Sequence, residues 1–245
     1  MKYQWFALNT YFRNNIQNRL MPYYCPVCGE RAQPHIALCE SCENELGKPE
    51  NRCIQCALPL AKAAGKQTCG QCLRQPPYFD QTISLFTYDT IIQHLIAGLK
   101  FQKKLSLARL FGTLLCDEIK KQRGKDLPDC IAPVPLSGKR LRERGYNQAV
   151  EIARPLSRTL DIKLDSRLFR RLRHTPPQSS LGLEARTSNV RHAFTINSQS
   201  LPAHVAIIDD VMTTGATCNE LARLLKKAGV KRVEVWSIAR ATRDN

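Results

Sequence analysis

Residues 204–240 read HVAIIDDVMTTGATCNELARLLKKAGVKRVEVWSIAR, and this stretch decides the fold. Its apolar run at 205–208 is typical of a strand buried on both faces of a parallel sheet. Apolar residues then recur at helical spacing over 221–225, Gly229 provides a helix stop, and another apolar run follows. The segment therefore predicts a strand, a loop, a helix and a second strand, which together form one βαβ unit.

The loop of this unit has the composition of a phosphate site. In open parallel sheets, ligands bind beyond the carboxyl ends of the strands, which is where Asp209 and Asp210 fall. Helix-start amides and the helix dipole favour an anion, and Gly215 permits its close approach. The two carboxylates would repel a phosphate, so we expect them to face paired sugar hydroxyls or a divalent cation. We predict a ribose 5-phosphate site formed by Asp209, Asp210, Val211, Met212, Thr213, Thr214, Gly215, Ala216 and Thr217.

Cysteine is concentrated in the first third of the chain, where eight of the eleven form four C-x-x-C pairs. Two such pairs about ten residues apart can close a four-cysteine zinc site, so four pairs predict two structural Zn²⁺ ions. We favour sequential pairing, although spans of ten, ten and twelve residues between the pairs leave interleaved pairing open. A disulfide scaffold and a redox site are the less favoured alternatives. The predicted ligands are Cys25, Cys28, Cys39 and Cys42 on one ion and Cys53, Cys56, Cys69 and Cys72 on the other.

The chain is strongly basic, with 37 Lys and Arg against 21 Asp and Glu and a formal net charge of +16. Eleven of the cations lie in 139–173, against four acidic residues. Such density favours nucleotide phosphates or a nucleic acid backbone, with a solvated helix face as the alternative. Tyr146 and Phe169 are possible stacking surfaces for bases. The DNA-binding candidates are Lys139, Arg140, Arg142, Arg144, Arg170, Arg171 and Arg173.

Length and hydrophobic content suggest one full domain plus a smaller module. We predict an N-terminal segment over 1–24, a double zinc ribbon over 25–76 and an α/β domain over 77–245. Within that domain we expect strands at 82–88 and 129–134, helices at 89–99, 105–121 and 146–160, and a long polar loop from 173. No apolar stretch is long enough to span a membrane, and the N-terminus lacks the apolar core of a signal peptide. We therefore expect a cytoplasmic protein.

Several motifs resemble those of known proteins. The apolar run with its two acids and the T-T-G-A-T of 213–217 resemble the phosphoribosyltransferase fingerprint. The cysteine-rich head, P-V-P-L at 133–136, R-L-R-E-R-G-Y-N-Q at 140–148, and T-P-P-Q at 175–178 with Arg186 and N-V-R at 189–191 together resemble the ComF (ComFC, GntX-like) family. That resemblance implies an α/β fold like that of the type I phosphoribosyltransferases: a mostly parallel sheet with flanking helices, plus an N-terminal zinc-ribbon module.

The resemblance also implies site residues and partners. It places a pyrophosphate loop at Ser137, Gly138, Lys139 and Arg140, and a mobile loop over the substrate carrying Arg173, Thr175, Gln178, Arg186 and Arg191. It implies binding of phosphoribosyl pyrophosphate (PRPP) or another ribose-phosphate ligand, with Mg²⁺ accompanying PRPP. The family includes proteins required for natural transformation, so the implied partners are single-stranded DNA and DNA-uptake or recombination proteins. The chain lacks G-x-x-x-x-G-K-[ST], so a helicase or translocase would be a separate protein.

Three functions fit the sequence. The first is a competence protein that handles incoming single-stranded DNA in the cytosol. The second is a metabolic phosphoribosyltransferase acting on a nucleobase or small acceptor with Mg-PRPP, although no base-reading signature is present. The third is a zinc-dependent adaptor with a vestigial PRPP pocket. Whether the protein is an enzyme is left open by the sequence.

Overall fold

The computed structural model describes residues 23–33, 36–47, 51–61, 67–172, 192–198 and 200–242. The chain forms two compact units, 1–46 and 47–245. The first cysteine group therefore lies in one unit, and the second lies in the same unit as the α/β sheet. The boundaries of the zinc-ribbon module near residues 25 and 77 rest on the sequence alone and stay predictions.

Five of the described strands form the sheet of the larger unit: β1 (Gln81–Thr87), β2 (Cys130–Pro133), β3 (Lys163–Leu164), β6 (His204–Met212) and β7 (Arg232–Arg240). Their order across the sheet is β1-β7-β6-β2-β3, and all four pairings are parallel. Two further strands, β4 (Phe169–Arg171) and β5 (Phe194–Ile196), form a separate antiparallel pair. From β2 the chain moves outward to β3, and from β6 it moves the opposite way to β7. The neighbouring ends of β2 and β6 are therefore a topological switch point, where ligands bind in such sheets.

Helices flank the sheet and complete the predicted fold class, which is confirmed. In the larger unit they are α2 (Gly70–Arg74), α3 (Thr90–Phe101), α4 (Ser106–Arg123), α5 (Gly138–Arg144), α6 (Gln148–Leu160) and α7 (Ala216–Lys227). The smaller unit contains α1 (Glu40–Glu45). The sequence pattern did not indicate α5, because its seven residues present no buried side chain and therefore no apolar stripe.

The central strands are buried on both faces, as their continuous apolar runs predict. Val205 and Ile207 of β6 face a cluster that also contains Leu221 of α7, Phe194 of β5 and the thiol of Cys56. The second cysteine group is thus part of the hydrophobic core of the α/β unit.

Helices α4 and α6 meet at a close contact between Gly112 and Pro155. A proline inside a helix usually bends or interrupts it, but α6 continues past Pro155. A Cβ added at Gly112 would overlap Pro155 Cγ and lie 2.9 Å from the Ile152 carbonyl oxygen. The small residue at 112 is therefore required by the packing of α6.

Gly112→Ala is expected to lower the free energy of unfolding by about 1–3 kcal/mol, because overpacking a closed helix contact forces the backbone to shift. Urea denaturation measures the change. Gly47→Ala is the matched control, since an added Cβ there meets nothing within 4 Å. Equal stability of the two variants would contradict the packing argument.

Among the described residues, no helix has the length and apolar character needed to cross a membrane. The positions predicted to cover the substrate lie outside the residues that the structure describes: Arg173, Thr175, Gln178, Arg186 and Arg191.

Candidate functional site: an acidic pair and a phosphate loop at the switch point

The two predicted aspartates lie within β6 itself, three and two residues before the strand ends at Met212. Asp210 is buried, and its Oδ2 accepts an ion-pair contact from Lys100 Nζ at 2.6 Å. Gln148 Nε2 donates to the same oxygen at 3.4 Å. Lys100, the penultimate residue of α3, was missed by the sequence reading because 110 positions separate it from its partner.

The carboxylates differ in protonation. Burial, and then the charge of Asp210, raise the pKa of Asp209 well above its usual range. Burial acts in the same direction on Asp210, but the Lys100 ammonium outweighs it and lowers the pKa of Asp210. The pair therefore consists of one carboxylate stabilised by a lysine and one carboxyl group that is held near its protonated form. Such a pair can both accept hydrogen bonds from sugar hydroxyls and donate one to them.

The predicted phosphate loop follows directly and turns into α7. Gly215 has a φ of +78°, which favours glycine, and an added Cβ would lie 2.7 Å from Met212 Cε. As the N-cap of α7 it offers no side-chain cap. The Ala216 amide donates to Thr214 Oγ1 at 3.2 Å, so a hydroxyl of the loop caps the first amide of α7. The result is a helix N-terminus whose N-cap residue has no side chain, directly after the acidic pair, a geometry suited to an anion.

The segment after β2 forms the opposite wall of the site. Val134 N donates to the Ile208 carbonyl at 2.9 Å, which joins the chain after β2 to β6. Ser137 caps α5, so Lys139 and Arg140 stand in the first turn of a helix and not in an open turn. Lys139 is exposed, and Arg140 is half-buried.

The G-Y-N-Q motif fixes this wall to the rest of the site. Asn147 Nδ2 donates to the Val134 carbonyl at 2.9 Å and thereby holds the chain after β2. Gln148 reaches Asp210, and the Tyr146 hydroxyl donates to the Leu99 carbonyl at the end of α3. Gln148 therefore contacts the acidic pair directly, and Tyr146 uses its polar atom inside the protein.

A basic surface with an exposed aromatic ring adjoins the acidic pair. Phe101, next to Lys100 in α3, is 71% exposed. The Arg144 guanidinium of α5 lies 5.2 Å from the centre of its ring. Burial lowers the pKa of the Arg144 guanidinium, and the charge of Asp210 raises it by a smaller amount. Phe101 is thus an aromatic ring that faces solvent among cations, which the sequence reading did not select.

The other DNA-binding candidates divide into two sets. Arg142 is exposed on α5 and Arg170 is exposed on β4. Arg171 is more enclosed: it stacks on Phe194 at 5.2 Å, and burial lowers its pKa, followed by the charge of Arg140. Phe169 is only 4% exposed, so the hypothesis that it stacks on a base is wrong. Arg173 lies outside the described residues.

The cysteines gather in two groups of four, with all ligand atoms of a group within 4.8 Å of one another. The grouping is the sequential one. Sulfur atoms lie 3.5 Å apart in Cys28–Cys39 and 3.6 Å apart in Cys56–Cys69, near the separation of about 3.8 Å that tetrahedral Zn–S bonds of about 2.3 Å produce. The third cysteine of each group, Cys39 or Cys69, also caps the following short helix.

The chemistry of these groups fits structural zinc. All eight thiols are free of disulfides. Burial, followed by a hydrogen bond with Cys56, raises the pKa of the Cys72 thiol, whereas in Cys69 burial is outweighed by hydrogen bonds with the Cys72 amide and the neighbouring thiols, which lower the pKa to about 7. Such a group loses all its protons only when a cation compensates for the charge, which Zn²⁺ does. Four protein ligands leave no open coordination position, so these are structural zinc sites.

One buried side chain touches both the second cysteine group and the phosphate loop. Arg240, at the end of β7, is 5% exposed. Its Nε donates to the Cys56 carbonyl at 2.7 Å, and its Nη1 donates to the Met212 carbonyl at 2.9 Å. It also donates to the Thr213 carbonyl. From composition alone, Arg240 would be expected at the protein surface. Only the register of β7 in the sheet shows that it is buried between the cysteine group and the loop.

This chain is similar to several known proteins. The double zinc ribbon domain family matches residues 16–73. Competence protein F of Haemophilus influenzae is 37% identical over 220 residues, which are 86% of this chain and 95% of that protein. DNA utilization protein YhgH of Salmonella typhimurium is 33% identical over 224 residues, 90% of this chain and 98% of that protein. Among solved structures, an adenine phosphoribosyltransferase matches with a TM-score of 0.35 at 14% identity, over 56% of this chain and 72% of that one.

Proposed function

Because this chain belongs to the ComF family of competence proteins, we propose that it handles incoming single-stranded DNA in the cytosol during natural transformation, using a site that binds PRPP or another ribose phosphate. The observation that carries the proposal is the meeting of three elements at the switch point. They are the N-terminus of α7, the Asp209–Asp210 pair and the basic helix α5.

In this proposal the parts of a ribose phosphate are divided among these elements. The 5-phosphate binds the amides and hydroxyls of 213–217, where the helix dipole favours an anion. The ribose hydroxyls face the acidic pair, and a 1-diphosphate faces the segment from Ser137 to Arg140. Lys100 keeps Asp210 ionised and oriented in the absence of ligand.

Mg²⁺ would neutralise the diphosphate of PRPP. We propose that it enters on the diphosphate and is not held by the acidic pair. Asp210 Oδ2 is already paired with Lys100, and the raised pKa of Asp209 favours a protonated carboxyl, which is a poor metal ligand.

The proposed path for single-stranded DNA runs over α5 and the end of α3. Phosphates would lie against Lys139, Arg140 and Arg142, and a base would stack on the exposed ring of Phe101 or on the Arg144 plane beside it. We call the Phe101 ring and the adjacent Arg144 guanidinium the stacking platform. Phe101 directly follows Lys100, which contacts Asp210, so the platform lies close to the ribose-phosphate site. DNA and PRPP are therefore expected to compete.

Titration calorimetry with Mg-PRPP, repeated with single-stranded DNA present, tests the proposal. We expect each ligand to bind alone and each to weaken the affinity for the other. Independent binding would contradict the shared path, and failure of both ligands to bind would overturn the proposed function. In the organism, wild-type transformation after a clean deletion would exclude the competence role.

Phe101→Ala is expected to weaken binding of single-stranded DNA by about 5- to 100-fold, because stacking contributes about 1–3 kcal/mol per base. The salt dependence of binding should not change, since no phosphate contact is lost. Arg142→Ala should instead lower the slope of log affinity against log salt concentration by about 1. Fluorescence anisotropy across a salt series separates the two effects. Leu73→Ala is the control, because Leu73 is likewise exposed (65%) but lies on α2. Similar effects of Phe101→Ala and Leu73→Ala would contradict the platform.

A further inference from the structure

The guanidinium of Arg240 joins the second cysteine group to the phosphate loop. Within the described part of the chain, its hydrogen-bond partners are four carbonyl oxygens, which belong to Cys56, Met212, Thr213 and Ala241. Two of these carbonyls belong to the segment where β6 passes into the loop, and one belongs to a zinc knuckle. A single rigid group thus fixes the distance between the knuckle and the loop.

The knuckle is itself attached to the sheet. The Thr82 amide of β1 donates to the Ile54 carbonyl at 3.0 Å, and Arg52 Nη2 donates to the Leu85 carbonyl at 2.6 Å. Cys53, Cys56 and Cys72 are buried in the same core cluster as Met212 and Leu221. A change in the knuckle would therefore be transmitted to the sheet edge and not absorbed by a flexible linker.

Charge gives a second reason for the link. Burying a guanidinium is costly unless an opposite charge compensates for the lost water. Its carbonyl partners supply dipoles but no net charge. Four thiolates around Zn²⁺ carry a net charge of −2, so the closed zinc site supplies the missing negative charge beside Arg240. Loss of the closed zinc site removes that compensation.

We infer that zinc at the second site (Cys53, Cys56, Cys69 and Cys72) holds the phosphate loop in its ligand-binding conformation through Arg240, which acts as a positioning residue. Release of this zinc loosens the backbone at 212–217. The first zinc site, which lies in the other compact unit, has no such role. The consequence for ligand affinity rests on the proposed function, whereas the consequence for the loop does not.

Hydrogen exchange of the full-length protein without ligand tests the inference. Cys69→Ser/Cys72→Ser removes the second site, and the matched Cys39→Ser/Cys42→Ser removes the equivalent ligands of the first. Metal analysis should give two Zn²⁺ per chain in the wild type and one in each variant. Exchange at 212–217 should accelerate about tenfold or more in the second-site variant and stay unchanged in the first-site variant. Equal exchange in the two variants would overturn the inference.

Arg240→Lys tests the same link with both zinc sites intact, and it decides the question if the second-site cysteine variant does not fold. Lysine retains the charge but lacks the planar fork that binds several carbonyls at once. We expect two Zn²⁺ per chain, unchanged exchange in α4, and faster exchange at 212–217. Wild-type exchange in that segment would refute the positioning role.

Binding of Mg-PRPP to the same variants separates this inference from the proposed function. We expect affinity to fall about tenfold or more in Arg240→Lys and in the second-site variant. If wild-type protein binds no PRPP while the loop still responds to second-site zinc, the proposed ligand is wrong and the link stands. If PRPP binds equally well to wild type and Arg240→Lys, the link does not control the ligand site.

Discussion

Asp209→Asn is expected to weaken binding of Mg-PRPP by about 2- to 10-fold, because it replaces a carboxyl oxygen by an amide nitrogen that can only donate, and a hydrogen bond between neutral groups contributes about 0.5–1.5 kcal/mol. The same change should stabilise the ligand-free protein at pH 7. Asp209 is destabilising there because burial and the charge of Asp210 raise its pKa, so ionising it costs more in the folded than in the unfolded chain. Asparagine keeps the shape and removes the charge.

The sign of the pH dependence follows from proton binding. Between the ordinary pKa of an aspartate and the raised pKa of Asp209, the folded chain holds a proton that the unfolded chain has lost. Stability of the wild type therefore falls as pH rises through this window. The asparagine side chain does not titrate, so the variant should be more stable than the wild type at pH 7 and nearly equal to it at pH 4.

Denaturant unfolding at the two pH values and calorimetry with Mg-PRPP measure the two effects. Asp117→Asn is the matched control, because Asp117 is exposed on α4. Loss of affinity accompanied by loss of stability would indicate a merely structural Asp209. Gain of stability with unchanged affinity would show that the ligand does not use it. A residue that binds ligand at the expense of stability is the pattern expected of a functional site.

Glu234→Ala is expected to lower the free energy of unfolding by about 3 kcal/mol, because it takes the buried carboxylate away from Arg123, whose side chain is only 10% exposed. Glu234 is fully buried near the start of β7. Its Oε1 lies 2.9 Å from nitrogens of Arg123 and Arg232 and 3.2 Å from His204 Nε2. Trp236 Nε1 donates to Oε2 at 2.9 Å.

Acid should remove the same stabilisation. Burial raises the pKa of Glu234, but the hydrogen bond from His204 and the other partners outweigh it, and the net pKa is lowered. A lowered pKa contributes stability above the unfolded value, and that stability is lost as pH falls through the folded value. Glu234→Gln should lose less than Glu234→Ala at pH 7, and the gap between wild type and both variants should shrink in acid.

Urea unfolding across pH checks this prediction, with exposed Glu143→Ala as control. A loss below about 1 kcal/mol for Glu234→Ala would show that the ionic cluster contributes no net stability. Glu234 and Arg240 are six residues apart on one strand, which is about 20 Å at about 3.3 Å per residue. Glu234→Gln should therefore leave binding of Mg-PRPP unchanged, which separates this cluster from the ligand site.

The sequence by itself determined the features that depend on near neighbours in the chain. The apolar runs and the helical spacing at 204–240 specify one βαβ unit because strand and helix place side chains at different periods. The C-x-x-C spacing predicts that the two cysteines of each pair bind the same ion, because two ligands on a tight knuckle reach one metal. The sequential combination of the pairs was preferred from the sequence and is decided by the structure. The order of two acids, a T-T-G turn and a helix predicts the phosphate loop, because each of these groups is adjacent to the next.

Only the tertiary structure decided the contacts that control this site. Lys100 forms an ion pair with Asp210, Arg240 donates a hydrogen bond to the Cys56 carbonyl, and Glu234 forms an ion pair with Arg123. No local sequence pattern links the partners of these contacts. Each contact depends on the strand order β1-β7-β6-β2-β3 and on the register of β6 against β7. A shift of one residue in that register would turn every side chain of the strand to the other face. The physical reason is that the packing of the whole sheet sets the burial and the partners of each side chain. The same arginine or phenylalanine can therefore be exposed at the surface or buried in a contact between elements, depending on which residues pack against it.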